Sequence, residues 1–364
     1  MGDLGSVFVI GGCGLLGHHV VRYLLESGEA TAITVFDVST KLNRISDCKV
    51  EYITGSITSK SDLLSALKKT NTEVIINTAS LDPLIPDRRL LEEVNITGTQ
   101  NVLDCAMDCE IRVLIYSSSS KLVQNSYDDI IMANETWPLP ENPVDGAVYS
   151  RTKKIGEELV LKANGQNGLL TTAIRLCTLF GEGDRVLTKH TFQLAQSGRT
   201  KYRIGSGKNL YDFIYAGNAA EGHILAAKKL LEASRTKNTI PLELRVDGEA
   251  FFMTNDDPWP FWEFSRFIAS EIGKPTRDED IWLIPVGVIC FFAMIVEWVT
   301  WIFTFGGQPS VTSNMLRYTA QVRTFDMTKA KERLGYKPRV DMKEGIRRAI
   351  AWHIAHSSEL KETS

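Results

Sequence analysis

Short, mostly β-branched runs alternate with amphipathic stretches through the first half of the chain. Val7–Ile10, Ile33–Phe36, Val50–Ile53, Val74–Asn77, Val113–Tyr116 and Leu170–Ile174 are bounded by polar residues or glycine. Between them apolar residues recur at helical spacing, as at Val20, Val21, Leu24 and Leu25, or at Leu90, Leu91, Val94, Val102 and Leu103. Strands that are apolar on both faces and separated by helices predict a parallel sheet covered on each side. Right-handed crossovers then make it a doubly wound α/β fold. After Gly181 the regularity fades, and turn signals at Gly183-Asp184, Gly205-Ser206-Gly207 and Asn255-Asp256-Asp257-Pro258 separate shorter elements. The pattern predicts a nucleotide-binding domain over residues 1–180 and a smaller substrate-binding region over 181–364. Parts of 205–235 are expected to pack back on the first domain.

Composition narrows the function classes. The chain has 364 residues, 43% of them hydrophobic, which fits a folded globular protein and excludes a disordered one. With 41 basic and 44 acidic residues and a net charge of −3, nucleic acid is not expected as a partner. Six cysteines without dense spacing suit a reducing compartment. The apolar start, Val7 to Ile10, runs straight into a glycine loop and reads as a strand, not a cleavable signal. Met1-Gly2-Asp3-Leu4-Gly5-Ser6 matches the loose myristoylation pattern, for which a short disordered lead-in is the simpler expectation.

The first strand opens into Gly11-Gly12-Cys13-Gly14-Leu15-Leu16-Gly17, and a helix is expected to open at His18. Glycines at 11 or 12, 14 and 17 permit a tight turn, close approach to a pyrophosphate and close helix–strand packing, the Rossmann arrangement. Asp37 ends the second strand twenty residues past Gly17. A carboxylate there accepts the ribose hydroxyls and repels a 2′-phosphate, so NAD is expected over NADP. Lys41 and Arg44 come later in the loop.

Tyr149-Ser150-Arg151-Thr152-Lys153 puts a phenol and an ammonium four residues apart on one helix face. A neighbouring ammonium favours the phenolate, which predicts a lowered phenol pKa and a base for an alcohol proton. Ser117-Ser118-Ser119-Ser120 follows the fifth strand and brings hydroxyls to the carboxyl edge of the sheet, where ligands of such folds bind. His18 and His19, and Cys105 with Cys109, lack the partners of a metal set, and no metal is expected.

On these residues the chain resembles the extended short-chain dehydrogenases/reductases, and among them the 3β-hydroxysteroid dehydrogenase branch and its enzymes of sterol C4 demethylation. The glycine loop, Ile76-Asn77-Thr78-Ala79-Ser80, Val94-Asn95-Ile96-Thr97-Gly98-Thr99, Ile115 to Ser119, Tyr149 with Lys153, and Phe180-Gly181-Glu182-Gly183-Asp184 carry the likeness. So do Asp212 to Tyr215, Asn255 to Trp262, and Lys329 to Pro338. The resemblance implies that Tyr149 is the general acid/base and that Lys153 lowers its pKa and holds the nicotinamide ribose. It also implies that Ser119 (or Ser118 or Ser120) bonds the reacting oxygen and that Asn95 supports the proton relay. The cofactor would lie on Gly11, Gly12, Gly14, Leu15, Leu16, Gly17 and Asp37, with Ser56, Ile57, Ala79, Ser80, Tyr149 and Lys153. The chain departs from the family pattern at Gly55-Ser56-Ile57, Asn77-Thr78 and Arg175-Leu176-Cys177. Asn95-Ile96-Thr97 is also a glycosylation sequon, a reading at odds with a buried helix.

From Ile281 to Phe305 only Glu297 is charged. Surface docking or partial insertion, a membrane span, and an ordinary core helix are the three readings, and Pro285 and Glu297 weigh against a span. The family resemblance implies docking on the endoplasmic reticulum membrane with the catalytic domain facing the cytosol; a soluble cytoplasmic protein is the alternative. The expected function is NAD-dependent oxidation of a 3β-hydroxyl on a sterol or triterpenoid, foremost a 4-carboxysterol that loses CO2. Another polycyclic or terpenoid alcohol is the first alternative and a sugar-nucleotide epimerase or dehydratase the second. A homodimer is compatible with this reading. The aromatic cluster Trp259 to Phe267 is expected to be core in preference to a substrate wall.

Overall fold

The computed structural model describes residues 4–83, 85, 87–123, 128–140, 148–236, 241–304, 307, 309 and 311–356. Met1, Gly2 and Asp3 of the myristoylation pattern and Phe305 of the apolar segment lie outside them. In chain order the elements that frame the site are β1 (Ser6–Ile10), α1 (Leu15–Ser27), β2 (Ala32–Asp37), β3 (Val50–Thr54), α2 (Lys60–Lys68), β4 (Thr72–Asn77) and α3 (Thr99–Asp108). They continue with β5 (Val113–Ser119), α4 (Val148–Lys162), β6 (Leu170–Leu176), α5 (Ala216–Arg235), β7 (Ala250–Met253) and α6 (Val286–Phe303). All six expected strands are present, each within a few residues of its predicted bounds.

The seven strands form one parallel sheet in the order β7-β6-β5-β4-β1-β2-β3. Strand order reverses between β1 and β4, so the carboxyl ends of those two strands flank the crevice where such folds bind ligands. Helices α1 and α5 pack together on one face, while α2, α3 and α4 cover the other. The core divides accordingly. Val7, Val9, Val20, Leu24, Ile224 and Leu230 lie on the first side, and Phe8, Phe36, Leu63, Leu103, Tyr116 and Val160 on the second.

Two expectations about organisation are corrected. The seventh strand, Ala250–Met253, joins the main sheet from beyond residue 180, whereas α5, within the 205–235 stretch expected to pack back, does lie on α1. A division at 180/181 therefore cuts through the sheet's own layers. Its apolar run, Ala250-Phe251-Phe252-Met253, is as buried as the early strands, but it follows a long helix and lacks their flanking periodicity. The first helix begins at Leu15 and not at His18, because the Gly14 carbonyl already accepts from His18 N–H at 3.0 Å.

The smaller layer contains a four-stranded sheet formed by Trp259–Pro260, Leu210–Tyr211, Arg323–Phe325 and Ile130–Ala133. Of the aromatic cluster Phe264 is core, stacking on Phe213 at 4.6 Å and meeting Phe180 at 5.2 Å, while Trp259, Phe261 and Phe267 are half-buried against it.

Candidate active site

The cofactor loop is built by two contacts that only glycine tolerates. Gly11 has φ +74°, and a Cβ there would come within 2.8 Å of the Ala79 backbone nitrogen at the end of β4. A Cβ on Gly17 would come within 2.6 Å of the Gly12 Cα, so α1 can start this close to the strand only because position 17 has no side chain. The N-terminus of α1 is left with Gly14 as its cap and no side-chain acceptor, which leaves its first amides available to an anion. Asp37 sits across the loop. Its carboxylate accepts from the Cys13 N–H at 3.0 Å and from the Ser39 N–H at 3.1 Å, fixing the end of β2 to the glycine turn. Arg44 lies over the Tyr52 ring at 4.6 Å. The loop between β2 and β3 is pinned as well, since Asn43 donates to the Cys13 carbonyl at 3.1 Å and its own carbonyl meets His18 Nδ1 at 2.7 Å. A glycine cradle that no Cβ fits, free helix amides and a facing carboxylate are what a dinucleotide pyrophosphate and ribose require.

Among the other residues singled out for the cofactor, Gly12, Leu16 and Ile57 are buried, and Leu15, Ser56 and Ala79 half-buried. The Leu16 and Ile57 side chains belong to the core, and Ile57 packs so closely on Gly98 that a Cβ there would come within 2.7 Å of it. These two can meet a ligand only through their backbone. Ser80 is exposed, and its hydroxyl lies 3.4 Å from the Tyr149 hydroxyl.

Tyr149, on the first turn of α4, thus faces the ends of β4 and β5, with its phenol between the hydroxyls of Ser80 and Ser119. Ser119 Oγ also accepts from the Lys121 N–H at 3.2 Å, which fixes its rotamer. The neighbouring serines are differently placed. Ser117 Oγ meets His223 Nε2 of α5 at 2.8 Å, and Ser118 Oγ is buried with no partner among the described residues. His223 Nδ1 bonds the Ala219 carbonyl at 2.7 Å, so Ser117 is the donor to an imidazole that burial holds down at about 4.

One electrostatic expectation fails. Burial raises the Tyr149 phenol above its ordinary value of 10.0, while the Ser80 and Ser119 hydroxyls pull it part of the way back. Lys153 is 1% exposed and turned inward: its Nζ donates to the Ser117 carbonyl at 2.6 Å and lies 4.3 Å from the Tyr116 ring centre. Burial drops its own pKa to about 7, against a smaller opposing pull from Glu157. The ammonium is therefore sequestered from the phenol it was expected to acidify. Lys121, on the turn after β5, has its Nζ 5.8 Å from the Tyr149 ring centre.

Asn95 lies in a π-helical turn, Glu93–Gly98, a distortion that turns its side chain toward α4. It is 2% exposed, donates to Thr152 Oγ1 at 2.9 Å, and has its Oδ1 buried without a partner among the described residues, and this burial excludes the glycan reading. Gly156 allows this approach, since a Cβ there would come within 2.6 Å of the Asn95 carbonyl.

A second phenol at the site went unpredicted. Tyr318, at the end of the helix Ser313–Tyr318, shares Lys121 with Tyr149 and is bonded to Tyr211, which is 107 residues away in the chain. No local motif marks Tyr318. Conversely, two residues of the Phe180–Asp184 motif turn out to serve the scaffold. Asp184 caps the helix Leu187–Gln196 by accepting from Thr188 N–H at 2.7 Å, and Glu182 binds Arg22 at 3.1 Å and the Tyr215 hydroxyl at 2.8 Å.

Comparison with known proteins agrees with this geometry. The chain is 35% identical over 360 residues to the decarboxylating sterol-4-alpha-carboxylate 3-dehydrogenase of Saccharomyces cerevisiae, covering 97% of this chain and 99% of that protein. It is 32% identical over 347 residues to the human protein of the same name, covering 94% and 86%. In fold it matches a dTDP-glucose 4,6-dehydratase from Bacillus anthracis solved in complex with NAD, with a TM-score of 0.71 at 17% identity, over 99% of each chain. The model of the 3-beta hydroxysteroid dehydrogenase/isomerase family matches residues 8–285, and the chain belongs to that family.

Proposed function

We propose that this chain is an NAD-dependent oxidoreductase that oxidises the 3β-hydroxyl of a sterol or triterpenoid, foremost of a 4-carboxysterol that then loses CO2. The observation that carries this reading is the meeting of three parts at the carboxyl end of one parallel sheet: the glycine cradle, Asp37, and a half-buried phenol facing two serine hydroxyls. The names of the relatives that span the chain support the substrate class.

In this reading Gly11, Gly12, Gly14 and the amides of Leu15, Leu16 and Gly17 hold the pyrophosphate. Asp37 takes the adenosine ribose, Ser56 and the Ile57 backbone the adenine side, and Ala79 and Ser80 the nicotinamide half. When bound there, NAD supplies the hydride acceptor and a positive ring charge. Tyr149 takes the substrate's hydroxyl proton at Oη while Ser119 holds the same oxygen. Lys153 and Asn95 support the phenol from behind, through the Ser117 carbonyl and Thr152 respectively. A 3-ketone beside a 4-carboxylate is a β-keto acid, so the C4–carboxyl bond breaks with the ketone as electron sink. Mass spectrometry of products formed from NAD and a 4-carboxysterol, beside the 4-desmethyl 3β-alcohol, tests this. Ketone formation with CO2 release from the former is expected, and no NADH from either sterol would overturn it.

Cofactor choice rests on Asp37. Val38 beside it is exposed, so Asp37→Ser with Val38→Arg replaces a repelling carboxylate by a guanidinium in reach of a 2′-phosphate. The NADP-to-NAD ratio of kcat/KM is expected to rise by at least about 10²-fold in the double variant. An unchanged ratio would remove Asp37 from the ribose site.

The apolar segment supports membrane docking. In α6, 18 residues with mean hydropathy 2.1, only 11% is buried, and Phe291, Phe292, Trp298, Trp301 and Phe303 are exposed, so the core-helix reading is corrected. At 1.5 Å per residue the helix is about 27 Å long, short of a hydrocarbon core of about 30 Å. Glu297, the charge that weighed against a span, turns to the protein and accepts from the Ser313 N–H and hydroxyl. Helix Ser313–Tyr318 packs along the same flank, and Trp282–Ile284 ahead of α6 pairs with Tyr202–Ile204. A helix held this way lies on a bilayer, as on the endoplasmic reticulum surface, and offers an apolar substrate a route from lipid. Phe292→Asp with Trp298→Asp should lower co-flotation with phosphatidylcholine vesicles by at least about tenfold. Flotation equal to wild type would sink the docking role.

A further inference from the structure

Beside Tyr149 stands a chain of three hydroxyls that the oxidation itself does not use. Thr178 Oγ1 lies 2.6 Å from Tyr211 Oη, and Tyr211 Oη lies 2.6 Å from Tyr318 Oη. Tyr211 is buried and Tyr318 half-buried, so the chain runs from the interior outward and ends at Tyr318. Two cations flank this last ring. The Arg323 guanidinium lies 4.4 Å from its centre, and Lys121 Nζ lies 5.6 Å from it and 5.8 Å from the Tyr149 ring. One ammonium thus touches the phenol that takes a proton from the alcohol and a second phenol with no such task. Arg323 is itself buried, with Nη2 unpartnered among the described residues.

Hydroxyl valence orders the chain. If Thr178 donates to Tyr211 and Tyr211 donates to Tyr318, the Tyr318 oxygen already accepts one bond and its own O–H points elsewhere. We propose that Tyr318 is the acid of the decarboxylation half-reaction, donating its proton to the carbon that loses CO2, with Tyr211 and Thr178 holding the phenolate that remains. The inference rests on the sterol-carboxylate reading above. The balance is complete. Oxidation at C3 gives the ketone; the C4–carboxyl bond breaks and CO2 leaves. Its electron pair forms the C3–C4 enolate, and the Tyr318 proton moves to C4 as the C3 carbonyl returns. Solvent then reprotonates Tyr318. Carbons 3 and 4 of the substrate are bonded neighbours, so two acid/base groups are needed side by side, and Lys121 bridges the two phenols that would serve. The charges agree with this. Burial pushes the Tyr318 phenol up, but Arg323 and Lys121 outweigh it and hold it below its ordinary value, whereas Tyr149 is raised. An acid that readily gives up its proton is the better donor to an enolate.

The test follows NADH and CO2 together in single turnovers of a 4α-carboxysterol by the full-length protein, with a borodeuteride quench that traps any 3-keto acid as a C3-deuterated alcohol. Wild type should form both products in step. Tyr318→Phe should form NADH within about threefold of wild type, from this substrate and from a 4-desmethyl 3β-alcohol, while CO2 lags by at least about tenfold and the keto acid is trapped. Tyr211→Phe keeps the phenol but removes its hydrogen-bond donor, and should give a smaller lag of the same kind; it also serves if Tyr318→Phe does not fold. CO2 in step with NADH in both variants overturns the proposal, as does an equal fall of both products, which would mean a merely structural role. Absence of NADH from the carboxysterol with wild type would instead overturn the parent reading and this inference with it.

Discussion

Replacing Tyr149 by Phe is expected to lower the turnover of 3β-alcohol oxidation by at least about 10²-fold, with NAD affinity within about threefold of wild type. The substitution removes one oxygen and keeps the ring, so α4, the Lys121 contact and the glycine cradle are undisturbed. What disappears is the acceptor for the alcohol proton. Ser80 and Ser119 remain, and neither hydroxyl can act as a base at neutral pH. The raised phenol adds a pH signature. A base whose ordinary value of 10.0 is pushed higher by burial is mostly protonated at neutral pH, so oxidation by wild type should climb as pH rises. The residual rate of the Phe variant should stay flat. Steady-state NADH absorbance from pH 6 to 10, with NAD affinity from protein fluorescence, reads both effects. Activity near wild type in the variant would remove Tyr149 from the chemistry.

What could be read from the chain alone follows from the range of the interactions concerned. The six early strands and the glycine loop were legible because their signals are local: burial on both faces gives continuous apolar runs, and Gly11 and Gly17 serve contacts within one βαβ unit. Strand β7 was not, because its place in the sheet depends on pairing with β6, some 80 residues earlier. Tyr149 and Ser119 could be brought together from the strand–helix order. Their electrostatics could not, since spacing of four on a helix says nothing about where a long side chain turns. Lys153 turns inward because the Ser117 carbonyl and the Tyr116 face offer it better contacts than the cleft does. Tyr318 was invisible for a related reason: it reaches the site from a six-residue helix whose position is set by Glu297 and Ser313, not by any pattern of its own.

Lys153→Met should separate stability from function. Turnover is expected to fall by at least about 10²-fold, because the link from α4 to the Ser117 carbonyl that backs the phenol is gone. The cofactor-free protein, however, should melt slightly higher than wild type near and below pH 7. The buried ammonium titrates at about 7 in the folded chain against 10.5 when free. A depression of that size corresponds to roughly 4–5 kcal/mol of burial cost below pH 7. The hydrogen bond to Ser117 and the Tyr116 ring contact return about 2–4 kcal/mol of it, and Met forfeits both. A net gain of order 1 kcal/mol remains, or about 2 °C. The sign with pH is the sharper test. Between about 7 and 10.5 the folded wild type has released a proton that the unfolded chain still holds, so wild-type stability rises with pH across that window. Met has no proton to release, and the variant's advantage should shrink steadily and reverse before pH 10. Melting curves by circular dichroism at pH 6, 7.5 and 9.5 measure the gap. Parallel pH dependence in the two proteins would mean that Lys153 is not held in a charge-excluding site, and the account of how α4 positions the phenol would fall with it.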